Sequence, residues 1–176
     1  SEKDIAKAII YRDSIAFYVA KEINTINSYQ NFINTYPSSI EREQAIELRN
    51  ALAFEVAVAK NTVESFQYFI DTYPDAQEKD KATVMRDKVA LFNAWQINKS
   101  AAFKNYIKTY PKSQFLDVAN FKCDSLFYLE STIRNDAQSH IKFMENNKNN
   151  KYIAQIQDSL YFISKRNMDF HGLKYY

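Results

Sequence analysis

The stretch Asn61–Pro74, NTVESFQYFIDTYP, returns along this chain at a fixed spacing of 37 residues. Three tyrosine-proline pairs mark it, with their tyrosines at Tyr36, Tyr73 and Tyr110. The asparagine that opens it recurs at Asn24, Asn61, Asn98 and Asn135, the last introducing a worn copy without Tyr-Pro. A period in this range is the mark of stacked units, each too small to bury its own apolar face, so that neighbours must supply the core for one another.

What kind of unit repeats follows from the residues around the echo. The 176 residues include only one glycine and three prolines. That is too few for the many turns of a sandwich or barrel, and it favours helices joined by short connections. Between residues 2 and 23, Ala8, Ile9, Ile15, Ala16, Val19 and Ala20 recur at three- and four-residue steps, with Phe17 beside them. This pattern predicts one apolar stripe on a helix. Asn24-Thr25 interrupts it, and Thr25 suits an N-cap because its hydroxyl can accept a free backbone N–H. A short helix is predicted over 26–35 with Tyr29, Phe32 and Ile33 on one side, ended by Tyr36-Pro37, since a residue before proline leaves the α region. Ser38 or Ser39 is expected to cap the next helix.

The long-then-short unit then repeats. Long helices are expected at about 39–60, 76–97 and 113–134, short ones at about 62–72, 99–109 and 136–146, and a last helix at about 149–167. The expected fold is all-α, an α–α superhelix of about four long-helix/short-helix repeats, 2–37, 38–74, 75–111 and 112–148, closed by a capping helix, 149–167. Together these form one domain, 1–167. Residues 168–176 contain Gly172, fit no repeat, and read as a tail or the start of a following domain.

Equivalent positions carry equivalent chemistry. Ala8, Ala45, Ala82 and Ala119 stand 37 apart, as do Ala20, Ala57 and Ala94, with Ser131 next. Small residues at these places let neighbouring helices approach closely. Large apolar residues form three series: Phe17, Phe54, Leu91 and Tyr128; Tyr29, Phe66, Phe103 and His140; and Phe32, Phe69, Tyr106 and Phe143. These are the expected repeat core.

The series Phe66, Phe69, Ile70, Tyr73, Pro74 and then Ala82 resembles the F-Q-x-F-(L/I)-x-x-Y-P-x-S…A unit of bacterial tetratricopeptide-like repeats. Such repeats occur in the outer-membrane assembly lipoprotein and the periplasmic coordinator of the Tol–Pal system. The match recurs at Tyr29–Ala45 and Phe103–Ala119 and so extends over most of the chain. It departs from the family where Leu-Gly would follow, here Leu48-Arg49 and Met85-Arg86, and in its period of 37. The resemblance implies a superhelix that holds other proteins or peptide segments, and it favours a periplasmic or outer-membrane-associated setting.

Chemistry beyond scaffolding finds little footing. With one cysteine, Cys123, the chain forms no internal disulfide. Phe121, Leu126 and Phe127 around it predict a buried, inert thiol. The two histidines are His140, at a core position, and His171, in the tail, so a zinc site lacks its ligands. A single glycine rules out glycine-rich phosphate loops, and no Gly-x-Ser-x-Gly elbow exists. Carboxylate pairs such as Glu41/Glu43 and Asp75/Glu78 fall at helix starts, where the dipole favours them. Asn98-Lys99-Ser100 has the form of a glycosylation acceptor but fills a helix-joining turn. No catalytic residue, metal or cofactor is expected.

Charge is nearly balanced. Residues 1–98 hold 11 Lys/Arg against 14 Asp/Glu, and 99–176 hold 12 against 7. An excess that modest suits a solvated face better than a nucleic-acid site, and no stretch is apolar for long enough to insert in a membrane. Lys104, Lys108 and Lys112 read as solvated. The one recurrent polar series is Arg12, Arg49 and Arg86, each followed by Asp13, Asn50 or Asp87. These arginines either meet a partner's carboxylates through their planar guanidinium or form a ladder, each pairing with an acid of the next repeat. Trp95, which replaces Lys21, Val58 and Thr132 of other copies, is either an interface anchor or a gap filler. The expected function is a non-catalytic protein–protein scaffold working through the long helices. The alternative is a spacer or accessory arm of a larger enzyme or envelope protein.

Overall fold

A computed structural model describes residues 1–167 of the chain, so the reading of 168–176 as a tail lies outside the described residues. Among these there are nine helices and no strand: α1 (Glu2–Ile23), α2 (Ile26–Thr35), α3 (Arg42–Lys60), α4 (Val63–Thr72), α5 (Lys79–Ile97), α6 (Ser100–Thr109), α7 (Leu116–Thr132), α8 (Ala137–Asn146) and α9 (Ile153–Asn167). Long and short helices alternate as the echo predicts. The chain divides into two compact units, Ser1–Val89 and the part from Ala90 onward, and the division falls within α5.

The junctions explain the lengths. Asn24, Asn61, Asn98 and Asn135 all have left-handed backbone, with φ of 46°, 47°, 49° and 48°. Asparagine tolerates this conformation because its short amide can bond locally, whereas a branched side chain would clash. Asn24, Asn61 and Asn98 therefore close the long helices, each donating its N–H to the carbonyl four residues back. Thr25 and Thr62 then start the short helices, accepting from the N–H of Ser28 and Ser65 at 3.0 Å, while each serine hydroxyl accepts from its threonine's N–H. Thr62→Ala should cost about 1 kcal/mol, read as a lowered midpoint in urea without a change of slope. The third copy has Lys99 in this place, with no cap bond from its side chain. There Glu130 of α7 supplies the acceptor, taking the Ser100 N–H at 2.9 Å and its hydroxyl as well, and these bonds hold its carboxyl below the ordinary range.

The long helices after the first begin about three residues later than expected, and neither Ser38 nor Ser39 is the N-cap of α3. Two tandem turns occupy the gap, with Ser39 N–H to the Tyr36 carbonyl at 3.1 Å and Arg42 N–H to the Ser39 carbonyl at 3.2 Å. Glu41 is the N-cap and makes no side-chain cap bond. Its carboxylate instead accepts the hydroxyls of Ser14 on α1 and Ser39, which lower its pKa. The same pair of turns follows Tyr73 and Tyr110, and also Asn147, where no proline is present. The worn copy has lost the motif and kept the geometry.

In the first unit the core lies between successive hairpins. Phe17 and Ala20 of α1, Tyr29, Phe32 and Ile33 of α2 and Ala45 of α3 form one cluster, with Ile46, Leu48 and Leu52 packed on it. Phe54 and Ala57 of α3, Phe66 and Phe69 of α4 and Ala82 of α5 form the next. In the second unit, Leu91, Ala94, Phe103, Tyr106, Ala119 and Leu126 repeat the arrangement, and α9 buries Ile156, Leu160 and Ile163. Ala45, Ala82 and Ala119 have no exposed surface, and Tyr29, Phe32, Phe66, Phe69, Phe103, Tyr106 and Phe143 are all buried. His140 is buried too, with Nδ1 2.8 Å from the Asp136 carbonyl.

The apolar stripe expected on α1 is not its buried face. Asp13, Phe17 and Ala20 are buried there, while Ala8, Ile9, Ile15 and Val19 are exposed. The stripe combines residues buried against α2, such as Phe17 and Ala20, with residues left exposed.

Candidate interaction surface

The recurrent arginines are set on the long helices one residue before a buried polar side chain. Asp13, Asn50 and Asp87 are all buried. Arg12 donates Nε and Nη2 to Asp13 Oδ1 at 2.9 and 2.6 Å. Arg49 does the same to Asn50 Oδ1 at 3.2 and 2.9 Å, and Arg86 to Asp87 Oδ1 at 3.0 and 2.7 Å. Arg49 also donates Nη1 to Gln30 Oε1 at 2.7 Å, and Arg86 donates Nη1 to Gln67 Oε1 at 2.8 Å. The guanidinium of Arg49 lies 5.1 Å from the centre of the Tyr73 ring, and that of Arg12 lies 5.3 Å from the Tyr36 ring. Burial raises the Tyr73 pKa, against the opposing pull of Arg49.

For Arg12 and Arg49 the bonded side chains are thus not acids of the next repeat. The acid or amide sits on the arginine's own helix, and the links between repeats are a glutamine behind Arg49 and Arg86 and a tyrosine ahead of Arg12 and Arg49. Arg49 joins α2, α3 and the end of α4 through one planar group. Only Arg12, with an exposed side chain, offers a partner much of its surface.

Trp95, on α5 in the second unit, stands edge-on to Phe103 with centroids 5.6 Å apart, and Lys122 Nζ lies 4.8 Å above it. Its side chain is packed against Phe103 and still 42% exposed. Cys123 is half-buried rather than buried as expected, and burial raises its thiol pKa. Phe121 beside it is largely exposed rather than packed around it. Lys104, Lys108 and Lys112 are exposed.

The concave surface lies elsewhere. A groove of about 880 Å³ opens between α3 and α4, reaching the start of α2, with Val56, Lys60, Glu64 and Tyr68 along it. A smaller one, about 230 Å³, runs between α1 and α2 and includes Val19, Ile23 and Asn31. In the second unit a groove of about 550 Å³ lies between α7 and α8, with Arg134, Gln138 and Lys142. These three grooves hold equivalent positions of the first, second and fourth copies. Their floor keeps the ring of the short helix, Phe32, Phe69 or Phe143, while their rim changes from Asn31 to Tyr68 to Lys142 and from Ile23 to Lys60 to Arg134.

Sequence reasoning missed these rim residues because it sought what the copies share. The signal was the opposite one, variation at fixed register beside an unchanging ring. Among the described residues no cluster of His, Cys, Asp and Glu is arranged to hold a metal, and no helix is long and apolar enough to cross a membrane. Comparison with known proteins finds no family model that matches the chain and no matching curated relative.

Proposed function

We propose that this chain is a tetratricopeptide-like solenoid of four repeats and a closing helix, acting as a non-catalytic scaffold that holds other proteins or peptide segments. The supporting observation is a groove at equivalent positions of the first, second and fourth copies, with a constant apolar floor and a varied rim. A constant floor preserves the fold, while variation at the rim changes what each groove selects. Its mixed character, with Val56 and Tyr68 between Glu64 and Lys60, suits an extended or helical peptide with an apolar anchor and polar flanks. Arg49 and Arg86 tie their long helices to the preceding short ones through Gln30 and Gln67. Arg12 and Trp95, with their exposed edges, are contact points outside it.

The test is a peptide-library selection on the full chain, followed by Tyr68→Ser. Tyr68 is exposed, so the substitution should leave thermal unfolding nearly unchanged. Binding of the selected peptides should weaken at least about tenfold, the loss expected for a contact worth 1.4 kcal/mol or more. A selection that yields no peptide, while a small molecule co-purifies with the chain, would refute the scaffold reading.

A further inference from the structure

The face by which a long helix meets the preceding short helix is visible twice in the first unit. On α3 it consists of Ala45, Ile46, Leu48 and Leu52, packed on the ring cluster of α2, with Arg49 bonded to Gln30. On α5 it consists of Ala82, Met85 and Val89 against Phe66, Phe69 and Ile70 of α4, with Arg86 bonded to Gln67. Stepping back 37 residues from α3 gives Ala8, Ile9, Tyr11, Arg12 and Ile15 on α1.

That face has the composition of an interface and the exposure of a surface. Tyr11 is 71% exposed, Ile15 49% and Ile9 45%. A helix face meant for water has no use for an isoleucine–tyrosine cluster at spacings that pack a neighbour elsewhere in the molecule. Arg12 repeats the bonds of Arg49 to its own helix and to the tyrosine ring. Its Nη1, however, has no acceptor among the described residues, and its side chain is 60% exposed where that of Arg86 is 16%.

The geometry points to this face of α1 as a docking seat for a short amphipathic helix of the sequence ring–Gln–x–Phe–Ile, supplied from outside residues 1–167. Its Phe and Ile cover Ile9, Tyr11 and Ile15, and its glutamine amide oxygen accepts the Arg12 Nη1 proton. A second copy of this chain is a poor occupant. The matching faces of α2 and α4 are already covered by α3 and α5. At the glutamine position α6 carries Lys104, which repels Arg12, and α8 carries Ile141, which has no acceptor. The inference is independent of the groove reading, since the groove lies on other residues.

The experiment extends the full 176-residue chain with a copy of Asn24–Pro37 placed directly before Ser1. The grafted glutamine then stands 19 residues ahead of Arg12, as Gln30 stands ahead of Arg49. Thermal unfolding should rise by about 5 °C or more, and amide exchange over residues 8–15 should slow at least about tenfold. A control graft with serine for its Tyr, Phe and Ile should give neither effect. Ile15→Ser should matter little in the unextended chain and should abolish the gain in the extended one. No rise in midpoint, or an equal rise from the serine graft, overturns the proposal. So does an unextended chain that sediments as a dimer and reverts to monomer on Ile15→Asp, which would seat a second copy there.

Discussion

Phe69→Ala lowers the unfolding free energy by about 3–5 kcal/mol, the range for a buried ring removed from a core that cannot close over the loss. Phe69 is 1% exposed and lies between the rings of Phe54 and Tyr73, each 5.4 Å away between centroids. Its cluster draws on α3, α4 and α5 at once, and several members are alanines, Ala53, Ala57 and Ala82, with no side chain to swing into a void. The damage should therefore not stay within one hairpin. In a stack whose members lean only on their neighbours, a cavity at a junction weakens both sides of it. Native-state hydrogen exchange should show amides of α3, α4 and the front of α5 losing protection together. Phe69→Leu, which retains most of the volume, should cost less than about 1.5 kcal/mol. A loss confined to α4 and below about 1 kcal/mol would mean that the hairpins are energetically separate, and the repeat description would fail with it.

The helices could be read from the chain because their ends are written locally. Asn24 and Thr25 fix the α1–α2 junction by backbone strain tolerance and hydroxyl capping, so the bounds of both helices come out as expected. The Tyr-Pro pairs fix where short helices stop. Where the next one begins was harder to see, because Ser39 offers a hydroxyl that favours capping, yet the two tandem turns place Glu41 at the cap. The Glu41 carboxylate there accepts from Ser14, 27 residues away. No local rule reports such a contact. How much of the α1 stripe is covered is not legible for a related reason, since periodicity reveals an apolar face without showing whether a neighbour covers it. The arginines stand out as a series, but the glutamine partners of Arg49 and Arg86 do not. Their bonds run 19 residues back to a glutamine, and sequence supplies that distance only once the hairpin is folded.

Arg86→Ala should be the most damaging single change to a surface-reaching side chain, at about 3–5 kcal/mol, because it strands a buried carboxylate. Asp87 is 4% exposed, and Arg86 meets its Oδ1 through both Nε and Nη2. With the guanidinium gone, that charge has lost its compensation in a place water does not reach. The second repeat shows what relieves it. There Arg49 bonds Asn50 at the equivalent position, and a buried amide does the work of the carboxylate. Asp87→Asn alone should accordingly be mild, and Arg86→Ala with Asp87→Asn should recover most of the loss. The double-mutant cycle therefore carries a large coupling, because the cost of Arg86→Ala depends on whether residue 87 is charged. Arg86→Lys should fall between these, keeping the charge but losing the fork that spans Asp87 and Gln67. Salt gives a further check, since a pair shielded from solvent is screened far less than a surface one. If the Arg86→Ala penalty vanishes in 1 M salt, or if adding Asp87→Asn fails to recover it, the arginine is not acting as the brace described.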